Sequence, residues 1–262
     1  MTNPTSHTRR RVLTLAAATA CLAPLPVFGD TRGDQIARDR YARDTGWRDS
    51  TAEAQMILSV PGRGQSVREM SIKALETSGD GDLSLTEFSK PLDLDGTLFL
   101  SHSHATKPDD QWLYLPAQGK ARRISSSNKS GAFLGSEFTF EDLSSFKVPK
   151  YRYAYEGDGT AGGTNCHIVT QVPVYTHTGY KQVTVWLDTK HLRPMQAAFC
   201  DVRGKHFKTM TFSSYKSYGR FWRAHSVEMQ NLGNGRSTVM RFSRIAFGIG
   251  LSTSEFEPSR LG

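Results

Sequence analysis

The chain has 262 residues, 37% of them hydrophobic, enough for one sizeable core in a domain of ordinary size. Its 33 Lys and Arg outnumber 25 Asp and Glu for a formal charge of +8, but the basic residues form no stripe, which argues against a nucleic-acid partner. Past the first thirty residues no apolar run approaches the ~18 residues of a membrane-crossing helix.

Thr8-Arg9-Arg10-Arg11-Val12-Leu13 precedes an apolar stretch, Leu15 to Phe28, interrupted by Pro24 and Pro26. Positive charge, a short apolar segment and then small residues make residues 1–29 an export signal, with cleavage expected after Gly29. The paired arginines fit the twin-arginine variant, an ordinary Sec signal being the alternative. Removing Arg9, Arg10 and Arg11 leaves 30 Lys and Arg against 25 Asp and Glu, a formal +5. That balance suits a soluble exported protein that meets anionic membrane surfaces. Cys21 lies inside the signal, behind Ala18-Thr19-Ala20, which lacks the aliphatic residue a lipid-attachment site prefers.

Residues 30–262 read as one domain. Helix formers run from Asp34 to Arg43 and stop before Gly46. Apolar and polar residues then alternate: Ala52, Ala54, Met56 and Leu58 interleave with polar neighbours, as do Met70, Ile72 and Ala74. Period two with one polar face predicts half-buried antiparallel strands. Further strands are predicted at Thr97–His102, Gln111–Leu115, Arg122–Ile124, Tyr151–Tyr155, Asn165–Val172, Gln182–Asp188, Met195–Val202, Phe207–Ser213, Phe221–Gln230 and Ser237–Ala246. Turn chemistry separates them at Pro61-Gly62-Arg63-Gly64, Ser78-Gly79-Asp80-Gly81 and Gly233-Asn234-Gly235. About a dozen strands at hairpin spacing predict a large antiparallel sheet that curls on itself. Ser125 to Phe146 breaks the rhythm, being rich in Ser and Gly yet carrying Phe133, Leu134, Phe138 and Phe140. It reads as a lid over an opening or as a loop tacked to the core. Gly157–Gly163 reads as a flexible turn.

The remaining signals for chemistry are weak. Glu76 to Glu87 can be laid on a calcium loop, with Gly81 at the sharp turn, but strands rather than helices flank it. A hairpin is the better reading, with Gly79 and Gly81 supplying positive φ and the acids facing water. His102 and His104 would share a face of one strand, yet no second fixed pair completes a zinc site. No Gly-x-Ser-x-Gly elbow is present. Cys166 and Cys200 invite a disulfide in an exported protein, but the meander places them near opposite ends of the middle strand, far beyond the ~7 Å that a bridge spans between Cα atoms.

Several stretches together carry a family likeness. They are Asp109-Asp110-Gln111-Trp112-Leu113-Tyr114-Leu115-Pro116, Arg122-Arg123-Ile124-Ser125, Gly135-Ser136-Glu137-Phe138 with Glu141-Asp142-Leu143, Val185-Trp186-Leu187-Asp188 with Pro194, and Gly250-Leu251-Ser252 with Phe256. From Thr51 to Leu261 the chain resembles the LolA-like outer-membrane lipoprotein-sorting proteins, in the branch found beside RND-type (MMPL-like) exporters. The resemblance implies a mainly β fold, a curved antiparallel sheet forming an incomplete β-barrel, with helix closing an apolar cavity. It also implies a periplasmic carrier for lipid or lipoprotein acyl chains, without catalytic residues or cofactor, and an RND-type transporter as a partner. The cargo stays open between lipoprotein, phospholipid, hopanoid and sterol.

Strand parity nominates Met56, Leu58, Met70, Ile72, Leu98 and Leu100 as the inward-facing lining, with Phe133, Leu134 and Phe138 as lid residues. A buried methylene gains about 0.8 kcal/mol, so such a lining suffices to hold an acyl chain. Two other readings stay open: a non-catalytic sensor or assembly factor on the same scaffold, and an exported metal-dependent enzyme using His102, His104 and nearby acids.

Overall fold

The computed structural model describes residues 31–262; the expected export signal at 1–29 and Cys21 lie outside the described residues. Helix α1 (Thr31–Arg43) opens the fold. Its buried residues Gly33, Ile36 and Ala37 recur at helical spacing, so one face packs inward. Arg40 and Arg43 in the last turn complement the helix dipole.

Thirteen strands follow: β1 (Asp49–Val60), β2 (Gly64–Leu75), β3 (Leu83–Lys90), β4 (Leu98–His102), β5 (Asp110–Leu115), β6 (Lys120–Arg123), β7 (Tyr151–Ala161), β8 (Thr164–Pro173), β9 (Tyr180–Asp188), β10 (Pro194–Asp201), β11 (His206–Tyr218), β12 (Phe221–Asn231) and β13 (Ser237–Phe247). They form one antiparallel sheet in the order β6-β5-β4-β3-β2-β1-β13-β12-β11-β10-β9-β8-β7. The chain meanders from β1 out to one edge, crosses to the other edge at β7, and meanders back until β13 pairs with β1. Strands β6 and β7 remain unpaired with each other, so the barrel is incomplete. Residues 124–150 connect these two edges.

The alternating stretches fall on the concave face as expected. Ala54 lies opposite Met70, Ala52 opposite Ile72, and Met56 opposite Met240. Met70 lies opposite Phe88, and Met210 opposite Met229. The main core gathers on this face, under Phe133 and Phe138. A second cluster forms on the other face, where Leu100 packs with Phe256 and Leu261 of the C-terminal segment. The Lys73–Glu255 ion pair (2.7 Å) and the contact of His102 Nε2 with the Phe256 carbonyl (2.8 Å) pin that segment down.

Four sequence expectations need correction. Leu98 and Leu100 do not face inward: they belong to the outer cluster, and Phe99 between them enters the main core. Strand β4 is apolar on both faces, so parity had no polar residue to orient it. Gly157–Ala161 is strand rather than flexible turn; it pairs with β8 through a bulge between Tyr155 and Gly157, and Gly162-Gly163 alone make the turn. Gly79 does hold a positive φ of 95°, but Gly81 serves a different need. A Cβ there would run into the Ser103 carbonyl group, so only glycine lets the loop close on the end of β4. The loop's acids do not simply face water either. Glu76 accepts the Gly46 and Arg48 amides (2.7 and 2.9 Å), and Asp82 meets Lys147 at 3.0 Å.

The register also settles the cysteine pair. Cys166 lies opposite Asp188 and Cys200 opposite Gln182, six residues apart along β9. At ~3.3 Å per residue that is about 20 Å. Cys166 is buried and free.

Candidate functional site

Two halves of the concave face behave differently. Toward the hairpin ends Pro61–Gly64 and Leu232–Gly235, the segment joining β6 to β7 lies across the sheet as a plug. Phe133 is 1% exposed, and its ring meets those of Phe88, Phe99 and Phe140 at 5.0–6.0 Å. Met56, Met70, Met210, Met229 and Met240 form the floor of this half, all buried.

Polar contacts pin the plug on several sides. The Glu137 amide donates to Thr238 (2.9 Å), and the Glu137 carbonyl accepts from Lys208 (2.6 Å). Asn231 donates to the Glu137 carboxylate (2.9 Å). Glu141 accepts from Tyr175, Thr178 and the Gly179 amide, the last two at 2.6 and 2.9 Å. Asp142 accepts from Tyr180 and the Thr139 amide (2.8 and 2.7 Å). Burial pushes the Asp142 carboxyl up to about 6, although these hydrogen bonds pull the other way.

The other half of the concave face is left unfilled. Here the C-terminal end of α1 stands over the sheet beside a half-open cavity of about 670 Å³, in the range of small-molecule sites. Its floor is Ala52, Ile72, Phe212, Val227, Phe242 and Phe247, inward-facing residues that stay half-exposed. Arg40 and Phe146 separate it from a smaller chamber of about 180 Å³ lined by Tyr151, Tyr175, Val183 and Phe199; both chambers share Arg40, Phe146 and Phe212.

Charge around the larger chamber is unbalanced. Arg40, Arg43, Lys147, Arg193, Arg220 and Arg223 line it against Asp44, Glu76 and Asp82. Arg223 pairs with Asp44 (2.6 Å), and Arg193 pairs with Asp188 (2.8 Å). Arg43 and Arg220 donate to the carbonyls of Lys190 and Thr45. Arg40 has no such partner among the described residues; its guanidinium lies 4.1 Å from the Phe146 ring centroid. Burial holds it below its ordinary pKa, with Tyr153, Tyr215, Asp44 and Tyr151 all acting in the opposite sense.

The structure therefore distributes the nominated residues over three environments. Ile72 lines the open chamber; Met56, Leu58 and Met70 lie in the core beneath the plug; Leu98 and Leu100 are on the outer face. Phe133 and Phe138 are shut in the core, Leu134 is half-buried against it, and Phe146 at the end of the same segment is the ring that reaches the chamber. The residue that sequence reasoning missed is Arg40. Its signal was a charge one turn after Ile36 and Ala37, where an amphipathic helix carries an apolar residue.

The two histidines are held apart. Strand β4 ends at His102, whose ring rests against Trp112 with centroids 5.0 Å apart. His104 lies past the strand, with Nδ1 2.5 Å from Asp80 and Nε2 3.0 Å from Asp110. The Ala105 amide and His104 hold the Asp80 carboxyl below its usual range. These contacts staple the β2–β3 loop to the start of β5.

Comparison with known proteins places this geometry. A family model described as an uncharacterized protein matches residues 80–262. No protein of curated function matches the chain. Among solved structures, a domain described as an outer membrane lipoprotein-sorting protein from Vibrio parahaemolyticus is 46% identical, with a TM-score of 0.86 over 88% of this chain and 98% of that one. A DUF1329 family protein from Desulfovibrio piger is 28% identical, with a TM-score of 0.83 over 88% and 98% of the two chains. A LolA superfamily protein from Nitrosomonas europaea shares the fold at 15% identity, with a TM-score of 0.68 over 86% and 97%. No helix among the described residues is long and apolar enough to cross a membrane. With its open antiparallel sheet and these relatives, the chain has a LolA-like fold and belongs to the family of the outer membrane lipoprotein-sorting domain from Vibrio parahaemolyticus.

Proposed function

We propose that this protein is a non-catalytic periplasmic carrier that shelters the hydrocarbon of a lipid or lipoprotein in the cavity beneath α1. The observation that carries the reading is the unfilled half of an otherwise well-packed concave face, floored by Ile72, Phe212, Val227 and Phe242. Protein interiors are close-packed, so a large half-open chamber with an apolar floor and a charged rim suits an amphiphilic guest. The relative from Vibrio parahaemolyticus, described as a lipoprotein-sorting domain, supports the same class of cargo.

In this reading the signal over residues 1–29 exports the chain, and cleavage after Gly29 frees the domain. An RND-type transporter and transient contact with membrane surfaces supply and receive the cargo. The plug is the movable part. Displacing Phe133, Leu134 and Phe138 would join Met56, Leu58 and Met70 to the open chamber, and their unbranched neighbours Met210, Met229 and Met240 adapt to chains of different shape.

Fluorescent fatty-acid binding tests the reading. Ile72→Arg places a charge on the chamber floor and is expected to weaken binding at least tenfold while the protein stays folded. Unchanged binding in folded Ile72→Arg would exclude this chamber as the cargo site.

A further inference from the structure

The inward face of α1 carries a charge where packing calls for none. Gly33, Ile36 and Ala37 are buried, and Arg40 continues that stripe. Its guanidinium stands at the boundary of the two chambers, so any molecule extending from one into the other passes it. Around it are mostly rings, and the carboxylate that acts on it among the described residues is Asp44. Phe146 lies against it, Tyr151 stacks on Phe146 at 6.3 Å and 15°, and Tyr153 and Tyr215 are close by. Asp44, one turn on, is committed to Arg223. A half-buried cation without an acceptor is costly, and a ring face offsets only part of that.

Resting on the carrier reading above, we infer that Arg40 anchors the acidic headgroup of a chain-bearing amphiphile, a carboxylate or a phosphate, while the hydrocarbon lies along Ile72, Phe212 and Val227. The fork of guanidinium donors matches either oxyanion in a bidentate contact. The surplus of basic residues around the chamber favours entry of the same class of molecule. A neutral amphiphile of equal chain length leaves the guanidinium unsatisfied and binds more weakly.

The test is displacement of the uncharged fluorophore N-phenyl-1-naphthylamine from the purified protein. Palmitate, 1-palmitoyl lysophosphatidate and neutral monopalmitoylglycerol serve as competitors. Both acids, or one of them, are expected to displace at about tenfold lower concentration than monopalmitoylglycerol, and the stronger of the two identifies the source of the anion. Arg40→Gln is expected to abolish that preference without changing displacement by monopalmitoylglycerol, and Arg40→Lys to retain most of it. Equal displacement by all three in the wild type overturns the inference, as does a preference that survives Arg40→Gln or an equal loss for all three competitors. If Arg40→Gln does not fold, the wild-type preference and Arg40→Lys decide. Failure of the fluorophore and every competitor to bind the folded wild type overturns the carrier reading together with this one.

Discussion

Asp142 shows how a single side chain couples the plug to solution conditions. With its carboxyl raised to about 6, the folded protein keeps a proton that the unfolded chain has released between pH about 4 and 6. The stability this group contributes is fully present below pH about 4 and is lost as pH rises through about 6. Asp142→Asn keeps an acceptor for the Thr139 amide and Tyr180 and cannot ionise. Relative to wild type, the variant is expected to gain about 1–3 kcal/mol on going from pH 4 to pH 7.5, measured by urea unfolding at each pH. An equal difference at both pH values would contradict the assignment. Phe133 makes a simpler case. Nearly inaccessible and surrounded by three rings, it is expected to cost about 3–5 kcal/mol when changed to Ala. A loss below about 1 kcal/mol in the same unfolding experiment would mean that the plug is not part of the core.

At the scale of elements, α1 and the plug cover different halves of one sheet. The helix packs against β7 and the turn Val148–Lys150, with Ile36 and Ala37 as its apolar contacts. Ile36→Asp buries an unpaired charge there and is expected to release α1 while the sheet stays folded, seen as rapid proteolysis confined to residues 31–45 with the strand amides still protected from exchange. Loss of protection throughout the sheet would show that α1 is integral to the fold rather than a cover. Much of this was legible in the chain. Alternation from Ala52 to Leu58 and from Met70 to Ala74 identified the inward face, because polar residues between the apolar ones orient such strands. Leu98-Phe99-Leu100 could not be oriented in that way, since the outer face of β4 is covered by Phe256, a residue more than 150 positions away. The path of the plug was equally hidden. It depends on Glu137, Glu141 and Asp142 finding partners on β8 through β13 and their loops, contacts that no local pattern announces.

For the whole molecule, the decisive feature is that the sheet is neither closed nor filled. Strands β6 and β7 stay apart, and residues 124–150 pass between them, pack one half of the concavity and leave the other. Arg40 was present in the chain from the outset, but its meaning depends on a void that only the assembled sheet and helix create. The family and the broad architecture could be read from ordered motifs such as Asp109–Pro116 and Gly135–Phe138, whereas the chamber follows from how far the plug reaches. Native mass spectrometry of the protein isolated without detergent from cells that export it tests the central claim most directly. The account predicts a population carrying an added mass of one acyl-chain amphiphile, lost on mild activation and depleted in Ile72→Arg. A single mass equal to the bare chain, from cells and after incubation with fatty acid alike, would contradict it.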